Sequence, residues 1–307
     1  MEKLKQNDPG KPLGLTEIPG NNKDLFRFSH YAMATTYEIF IRHNDSIYSG
    51  QAAQAAFSLI DNLEQDLSRF IENSDISRIN RLSVNQNLIV APDTIACLIE
   101  SQNIWQLTGG AFDPGAGIEI TRSKSGSLPD LPAGNAGSLG CLSLDPDHFQ
   151  VKKQDAGVDL DLGGIGKGYA LDRMDDLLRD WSIGKFLMHS GQSTVKARCG
   201  KNGAGWKISL SDPENGNILG ILDLKSGALS ASGMKKGDHI IDPRNGRKAD
   251  GNRSTWVRAD NAALADALST AFMIMSVDEI SDLSRFHPEI KSLLLISGKT
   301  FNFGLLE

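Results

Sequence analysis

Asp159-Leu160-Asp161-Leu162-Gly163-Gly164-Ile165-Gly166-Lys167-Gly168-Tyr169-Ala170-Leu171-Asp172 is the stretch on which the reading of this chain turns. Alternating Asp and Leu predict a short strand, Gly163 to Gly168 a glycine-rich turn, and the residues from Gly168 to Trp181 an amphipathic helix. A strand, a flexible turn and a helix start in that order present unpaired backbone N–H groups and the positive end of a helix dipole to an anion such as a phosphate. Lys167 adds a positive charge at the same place. The stretch is not a Walker A loop: the position of its first glycine is held by Asp161, and Gly168 stands where Ser or Thr follows the lysine. Nor is it GxGxxG, because Leu171 occupies the last position. On its own the segment reads equally well as a structural strand-to-helix turn.

Upstream, Phe26 to Ile41 is rich in aromatic and β-branched residues and predicts one long strand or two short ones, with Met33-Ala34-Thr35-Thr36 in its middle. Ala53, Ala56, Phe57, Ile60, Leu63, Leu67 and Phe70 recur at three- and four-residue intervals and predict a helix of about six turns. Asp75 is placed to cap a short helix, and Pro92 to open another that runs to Trp105 and ends at Thr108-Gly109-Gly110. The Gly-, Ser- and Pro-rich stretch 123–140 predicts a long loop or an internal boundary.

Downstream come strand-like runs near 142–144, 158–160, 186–188, 194–197, 206–210, 218–222, 239–241, 255–257 and 292–296, with a helix at 262–275. Strands in hairpin-like succession, interrupted by few strong helices, predict an α+β fold rather than alternating α/β. Residues 1–24, broken by Pro9, Pro12, Pro19 and the glycines Gly10, Gly14 and Gly20, read as a disordered lead-in, and 25–307 as one integrated unit.

Composition narrows the partners. The chain carries 32 Lys and Arg against 38 Asp and Glu, a formal net charge of −6, which argues against a nucleic-acid partner, whose phosphates need clustered cations. Cys97, Cys141 and Cys199 are scattered and lack a CxxC, so they predict free thiols rather than a zinc site or a disulfide framework. No apolar run reaches the ~20 residues of a membrane helix, and Met1 to Asn22 lacks the apolar core of a signal peptide. The expectation is a cytoplasmic protein without a membrane span.

Three further constellations carry chemistry. Asp266 and Thr270 are four apart in an Ala-rich helix and share a face, where a carboxylate and a hydroxyl suit a hard cation such as Mg²⁺; the plainer reading is a solvated Asp and a Thr bonded back to its own helix. His239 opens a run that ends in the turn Asp242-Pro243-Arg244-Asn245-Gly246, a position for a strand-end histidine beside a cleft, although a structural role is the default for a lone histidine. Asp113 falls in a turn directly after the Pro92 helix and reads, alone, as a turn residue.

Taken together and in order, Met33-Ala34-Thr35-Thr36, Leu67-Ser68-Arg69-Phe70 with Asp75 to Asn80, Thr108 to Pro114, Asp161 to Asp172, His239 to Gly246 and Ala263 to Thr270 resemble the ApbE family of FAD:protein FMN transferases. The resemblance spans residues 26–275. It implies a T-fold-like α+β protein with mixed or antiparallel sheets and packed helices, which takes FAD as substrate and Mg²⁺ as cofactor. It further implies transfer of FMN to a Ser or Thr hydroxyl of an acceptor flavoprotein, with release of AMP. Relatives that hydrolyse FAD to FMN and AMP, and a flavin-binding paralogue without turnover, are the alternatives within the same resemblance.

By resemblance, Asp266, Thr270 and a backbone carbonyl at Gly166 hold the metal. Gly164, Gly166, Lys167 and Asp172 surround the nucleotide, Met33, Phe70 and Asp113 lie along it, and His239 acts with Asp266 in catalysis as the base toward the acceptor. The chain also departs from the family pattern. Phe70 replaces a Tyr, Gly115 a Thr, Gly166 an Ala and Ala34 a Gly, and Met188-His189-Ser190-Gly191-Gln192 replaces an Asn-x-Gly-Gly-Asp/Asn run. No lipobox cysteine stands near the start, in contrast to exported members.

Overall fold

The computed structural model describes residues 13–17, 24–117, 137–191, 193–200, 203–233, 241–246 and 253–306. Its centre is an eight-stranded antiparallel sheet in the order β14-β13-β12-β11-β8-β7-β3-β2. These strands are β2 (Leu25–Ala32), β3 (Thr35–Arg42), β7 (Phe186–Ser190), β8 (Thr194–Arg198), β11 (Ser226–Gly233), β12 (Arg253–Ala259), β13 (Lys291–Ile296) and β14 (Lys299–Phe303). One face is covered by α1 (Ser46–Leu67), α3 (Pro92–Leu107), α4 (Gly166–Asp180) and α5 (Ala262–Ala271), and their shared core contains Tyr37, Ile60, Leu98, Leu171, Met174 and Leu268.

The opposite face packs Phe40, Leu187, Leu229 and Trp256 against Trp206, Ile208 and Leu210 of a three-stranded sheet, β1 (Leu13–Glu17), β9 (Trp206–Ser211) and β10 (Ile218–Leu224). A third small sheet joins β4 (Asn87–Ile89), β6 (Gln150–Lys153) and β5 (Leu142–Asp145). Two short α-helices, α2 (Asp75–Asn80) and α6 (Val277–Phe286), and a 3₁₀ turn at Leu139–Cys141 complete the described elements. The α+β expectation is met, and every strand pairing within the sheets is antiparallel. Among the described residues no helix is long and apolar enough to cross a membrane.

Several local expectations are corrected by hydrogen bonding that residue patterns do not reveal. The run from Phe26 to Ile41 is a hairpin: Met33 and Ala34 sit at φ 49° and 56°, the left-handed region that tight two-residue hairpin turns require, without the glycine that usually signals it. Leu13–Glu17, inside the stretch read as a lead-in, is a strand on the edge of β9. The long helix starts earlier, at Ser46, because Asp45 caps it by accepting the N–H groups of Ile47 and Tyr48; it ends at Leu67, so Phe70 lies beyond it and is 89% exposed.

Ser74, not Asp75, caps α2; the buried Asp75 instead accepts the Ala91 N–H at 2.6 Å and the Thr94 hydroxyl at 3.0 Å, which pins the start of α3. Residues 158–160 form no strand. Asp159 makes an isolated parallel bridge with Ala116, and Asn80 serves Leu160, accepting its N–H at 2.6 Å and donating to its carbonyl at 3.1 Å. Most of the 123–140 stretch lies outside the described residues.

Candidate functional site

The geometry of the site begins with the contact between α4 and α5. A β-carbon on Gly168 would stand 2.2 Å from the Ala262 carbonyl oxygen, so only glycine allows this approach of the two helices. Their closeness is fixed by Asp172, whose two carboxylate oxygens accept the N–H groups of Ala262 and Ala263 at 2.8 Å each, the free donors at the start of α5. Lys196 from β8 donates to Asp172 at 2.7 Å and to the Asp260 carbonyl at 2.9 Å, and Arg198 holds Asp175 through two bonds of 2.6 and 2.9 Å. A buried ion-pair network therefore ties α4, β8 and the start of α5 together.

One helical turn further on, Asp266 faces the sheet and is buried. Its Oδ1 accepts hydroxyls from Thr194 at 3.1 Å and Ser230 at 3.2 Å, and its Oδ2 accepts the Gly168 N–H at 3.2 Å. Thr194 of β8 and Ser230 of β11 are direct cross-strand neighbours, so the sheet register brings both hydroxyls to one carboxylate oxygen. Thr270, on the same helix face, donates to the Asp266 carbonyl at 3.3 Å, as the plainer sequence reading had it, whereas Asp266 is not solvated.

The glycine-rich turn abuts this face. A β-carbon on Gly164 would lie 3.3 Å from the Phe112 ring and 3.4 Å from the Thr270 hydroxyl, so Gly164 lets the turn sit against Thr270. Arg69, just past α1, anchors the approach: it donates to Asp159 at 2.7 Å and lies 3.2 Å from Asp161, whose other oxygen accepts the Gly163 N–H at 2.9 Å. Gly166 opens α4, and the helix start is closed within the chain: the Gly166 N–H donates to the Leu162 carbonyl at 2.7 Å and the Gly168 N–H to Asp266, while Ile165 at the cap position offers no side-chain acceptor. Lys167 folds back, donating to the Gly163 carbonyl at 2.8 Å.

Gly164 and Gly168 are thus brought to Thr270 and Asp266, with Gly166, Lys167 and Asp172 on the same helix as Gly168, α4. The Asp266 carboxylate and the Thr270 hydroxyl are oxygen donors of the kind a hard cation such as Mg²⁺ takes; among the described residues there is no group of three or more His, Cys, Asp or Glu that could hold a metal ion. Met33 sits at the strained hairpin turn, where its sulfur accepts the hydroxyl of Tyr37 at 3.2 Å. Burial, together with the charges of Asp266 and Glu64, drives the Tyr37 phenol far up, which keeps it a donor. Phe70 is exposed beside Arg69.

Asp113 is engaged within the chain: it accepts the N–H groups of Gly115 (2.8 Å) and Leu139 (2.9 Å) and the Ser138 hydroxyl (2.6 Å), so it joins the two ends of the 118–136 segment, and burial raises its pKa. Asp172 likewise directs its oxygens to α5 and Lys196. His239 and Gln192 lie outside the described residues. The turn that follows His239 is built by Asp242, which Arg244 grips at 2.9 and 2.8 Å while also reaching Glu279 at 2.6 Å.

Sequence reasoning missed Thr194, Ser230 and Ser269, because hydroxyls in unremarkable strands and helices give no signal until the register is known. It also missed His189, which is buried and pairs through Nε2 with Glu38 at 2.8 Å, opposite it in the register of β3 and β7. That bond, aided by Arg27, holds the Glu38 carboxyl down to about 2.

Behind Asp172, burial and the Asp172 charge push Glu100 up to about 7, against the pull of Lys196. For an acid whose folded pKa is raised, the destabilising cost is absent below its ordinary value near 4.5, grows between there and about 7, and is full above. Glu100→Gln is therefore expected to raise the melting temperature by a few degrees at pH 8 and to leave it nearly unchanged at pH 4.5, as thermal unfolding by circular dichroism would register.

Comparison with known proteins gives a single answer. The profile described as ApbE family matches residues 33–294. A protein of Chlamydia muridarum named FAD:protein FMN transferase is 27% identical over 267 residues, covering 80% of this chain and 82% of the relative. Among solved structures, the ApbE protein of Thermotoga maritima superposes with a TM-score of 0.78 at 24% identity, over 91% of this chain and 96% of that one. The flavin transferase ApbE of Vibrio cholerae gives 0.78 at 22% identity and the same coverage.

Proposed function

The chain belongs to the ApbE family, and from that premise we propose that it catalyses Mg²⁺-dependent transfer of FMN from FAD to a Ser or Thr hydroxyl of an acceptor flavoprotein, releasing AMP. The name FAD:protein FMN transferase, carried by the relatives from C. muridarum and V. cholerae, supports the reaction class. The observation that carries the reading in this chain is the juxtaposition of the glycine-rich turn and the start of α4 with Asp266 and Thr270, Gly164 lying against Thr270 and the Gly168 N–H on Asp266.

In the proposed reaction the acceptor oxygen attacks the FMN-side phosphorus, an O–P bond forms, and the bridging P–O bond breaks to release AMP. His239 takes the hydroxyl proton as the new bond forms, a role suited to a group that titrates near neutrality. Gly164 and Gly166 admit the pyrophosphate to backbone contact, and the positive end of the α4 dipole favours charge gathering on its oxygens. Asp266, Thr270 and a carbonyl at Gly166 would hold Mg²⁺, which when bound supplies neutralisation of that charge. Phe70 offers an exposed aromatic face for stacking, and Met33 borders the same site.

Incubation with FAD, Mg²⁺ and a Ser/Thr-bearing flavoprotein, followed by intact-mass measurement of the acceptor, tests the proposal. A gain of one FMN with stoichiometric AMP is expected. AMP and free FMN formed at the same rate with or without acceptor would replace the transferase by a pyrophosphatase; retained FAD without AMP would leave only a binder.

A further inference from the structure

We propose that Thr194 and Ser230 determine which cations Asp266 accepts, by occupying Oδ1 with two hydroxyls and leaving only Oδ2, which carries a single N–H, with room for a metal. The inference rests on the reading above, in which Asp266 holds a divalent ion, and concerns residues on two strands that contribute nothing to that reading. Both hydroxyls point at the same oxygen, Oδ1, at 3.1 and 3.2 Å, and lie 3.0 Å from each other. Oδ2 carries only the Gly168 N–H at 3.2 Å.

The clamp is itself held. Ser230 is 3.2 Å from the Ser269 hydroxyl, which donates to the Asp266 carbonyl at 2.9 Å, and Ser232 is 2.9 Å from Ser269. Thr194, Ser230 and Ser269 are all fully buried, so water does not compete for these bonds. The helix that bears Asp266 is fixed at its start by Asp172, and turning Oδ1 outward would cost two buried hydroxyls their bond to it, although Ser230 also has the Ser193 carbonyl at 3.3 Å within reach.

A carboxylate with one oxygen occupied is a one-oxygen ligand. Mg²⁺, small and octahedral, takes a carboxylate through one oxygen and fills its remaining positions with water and phosphate oxygens, whereas Ca²⁺, with six to eight ligands at longer distances, commonly takes both oxygens. The Thr194–Ser230 clamp therefore favours Mg²⁺ and Mn²⁺ over Ca²⁺, and the partners that orient a ligand are where selectivity of this kind resides.

Mn²⁺ binding to the full chain, followed by electron paramagnetic resonance with Mg²⁺ or Ca²⁺ as competitor and no FAD present, tests this without reference to turnover. In the double variant Thr194→Val with Ser230→Ala, Ca²⁺ is expected to gain on Mg²⁺ as competitor by about tenfold. Thr194→Val alone, nearly isosteric, carries the test if the double variant does not fold, with a smaller shift in the same direction; Thr194→Ser keeps the wild-type ratio. An unchanged ratio in a variant that melts above the assay temperature would overturn the clamp alone. Wild-type protein that binds no more Mn²⁺ than Asp266→Asn would overturn the metal reading on which the clamp depends.

Discussion

Asp266→Asn is expected to lower the rate of FMN transfer by at least about 10²- to 10³-fold while the chain stays folded. The hydroxyls of Thr194 and Ser230 both approach Oδ1 as donors, so the amide of an introduced Asn will place its oxygen there and its NH₂ at the Oδ2 position. That NH₂ then faces the Gly168 N–H, where two donors meet without an acceptor, and it presents hydrogens where a cation needs a lone pair. The lost bond to Gly168 costs about 1–2 kcal/mol, a few degrees in melting temperature, so the loss of rate will not be the result of unfolding. Steady-state assays with FAD and acceptor, read beside a thermal melt, check both halves. A rate within tenfold of wild type would show that Asp266 is no ligand in the reaction, whatever its place in the fold.

Much of the architecture was legible because it rests on periodicity. The apolar stripe from Ala53 to Leu67, Pro92 at the start of α3 and the glycines after Thr108 report directly on helix faces and ends. What could not be read was set by partners distant in sequence. Asn80 replaces a strand partner for Leu160, and Asp75 reaches 16 residues forward to Ala91. β11, Ser226–Gly233, contains no β-branched or aromatic residue, yet it is a central strand, and its small side chains let α5 lie close. The helix α6 was available from Ser276-Val277-Asp278-Glu279, a capping box whose reciprocal bonds the structure contains.

The site shows the same division. Its sequence-local parts, the turn at 163–166 and the Asp266–Thr270 spacing, were found as motifs; its sheet-dependent parts, Thr194 and Ser230, appear only once β8 and β11 are in register. The resemblance supplied order among the motifs but not the division of labour among their carboxylates, and Asp172 illustrates this.

Asp172→Ala is expected to destabilise the chain by about 3–5 kcal/mol, a fall in melting temperature of roughly 6–15 °C, because three donors lose their acceptor at once. Two of them, the N–H groups of Ala262 and Ala263, begin the helix that carries Asp266 and Thr270. The third is Lys196, which is 4% exposed and would keep the Asp260 carbonyl at 2.9 Å and the Asp175 carboxylate at 3.6 Å, a site already shared with Arg198. A buried cation left short of its counter-charge accounts for most of the cost, so adding Lys196→Met to Asp172→Ala should restore part of the stability rather than add a second loss, a coupling that chemical denaturation of the four proteins in the cycle would measure. The same variants decide between two roles for Asp172. Were it a contact for FAD, the KM for FAD would rise with little change in melting; as the residue that positions α5, its loss lowers melting first, and the stabilised double variant recovers FMN transfer in proportion to its recovered fold. Additive losses in the cycle would refute the positioning role.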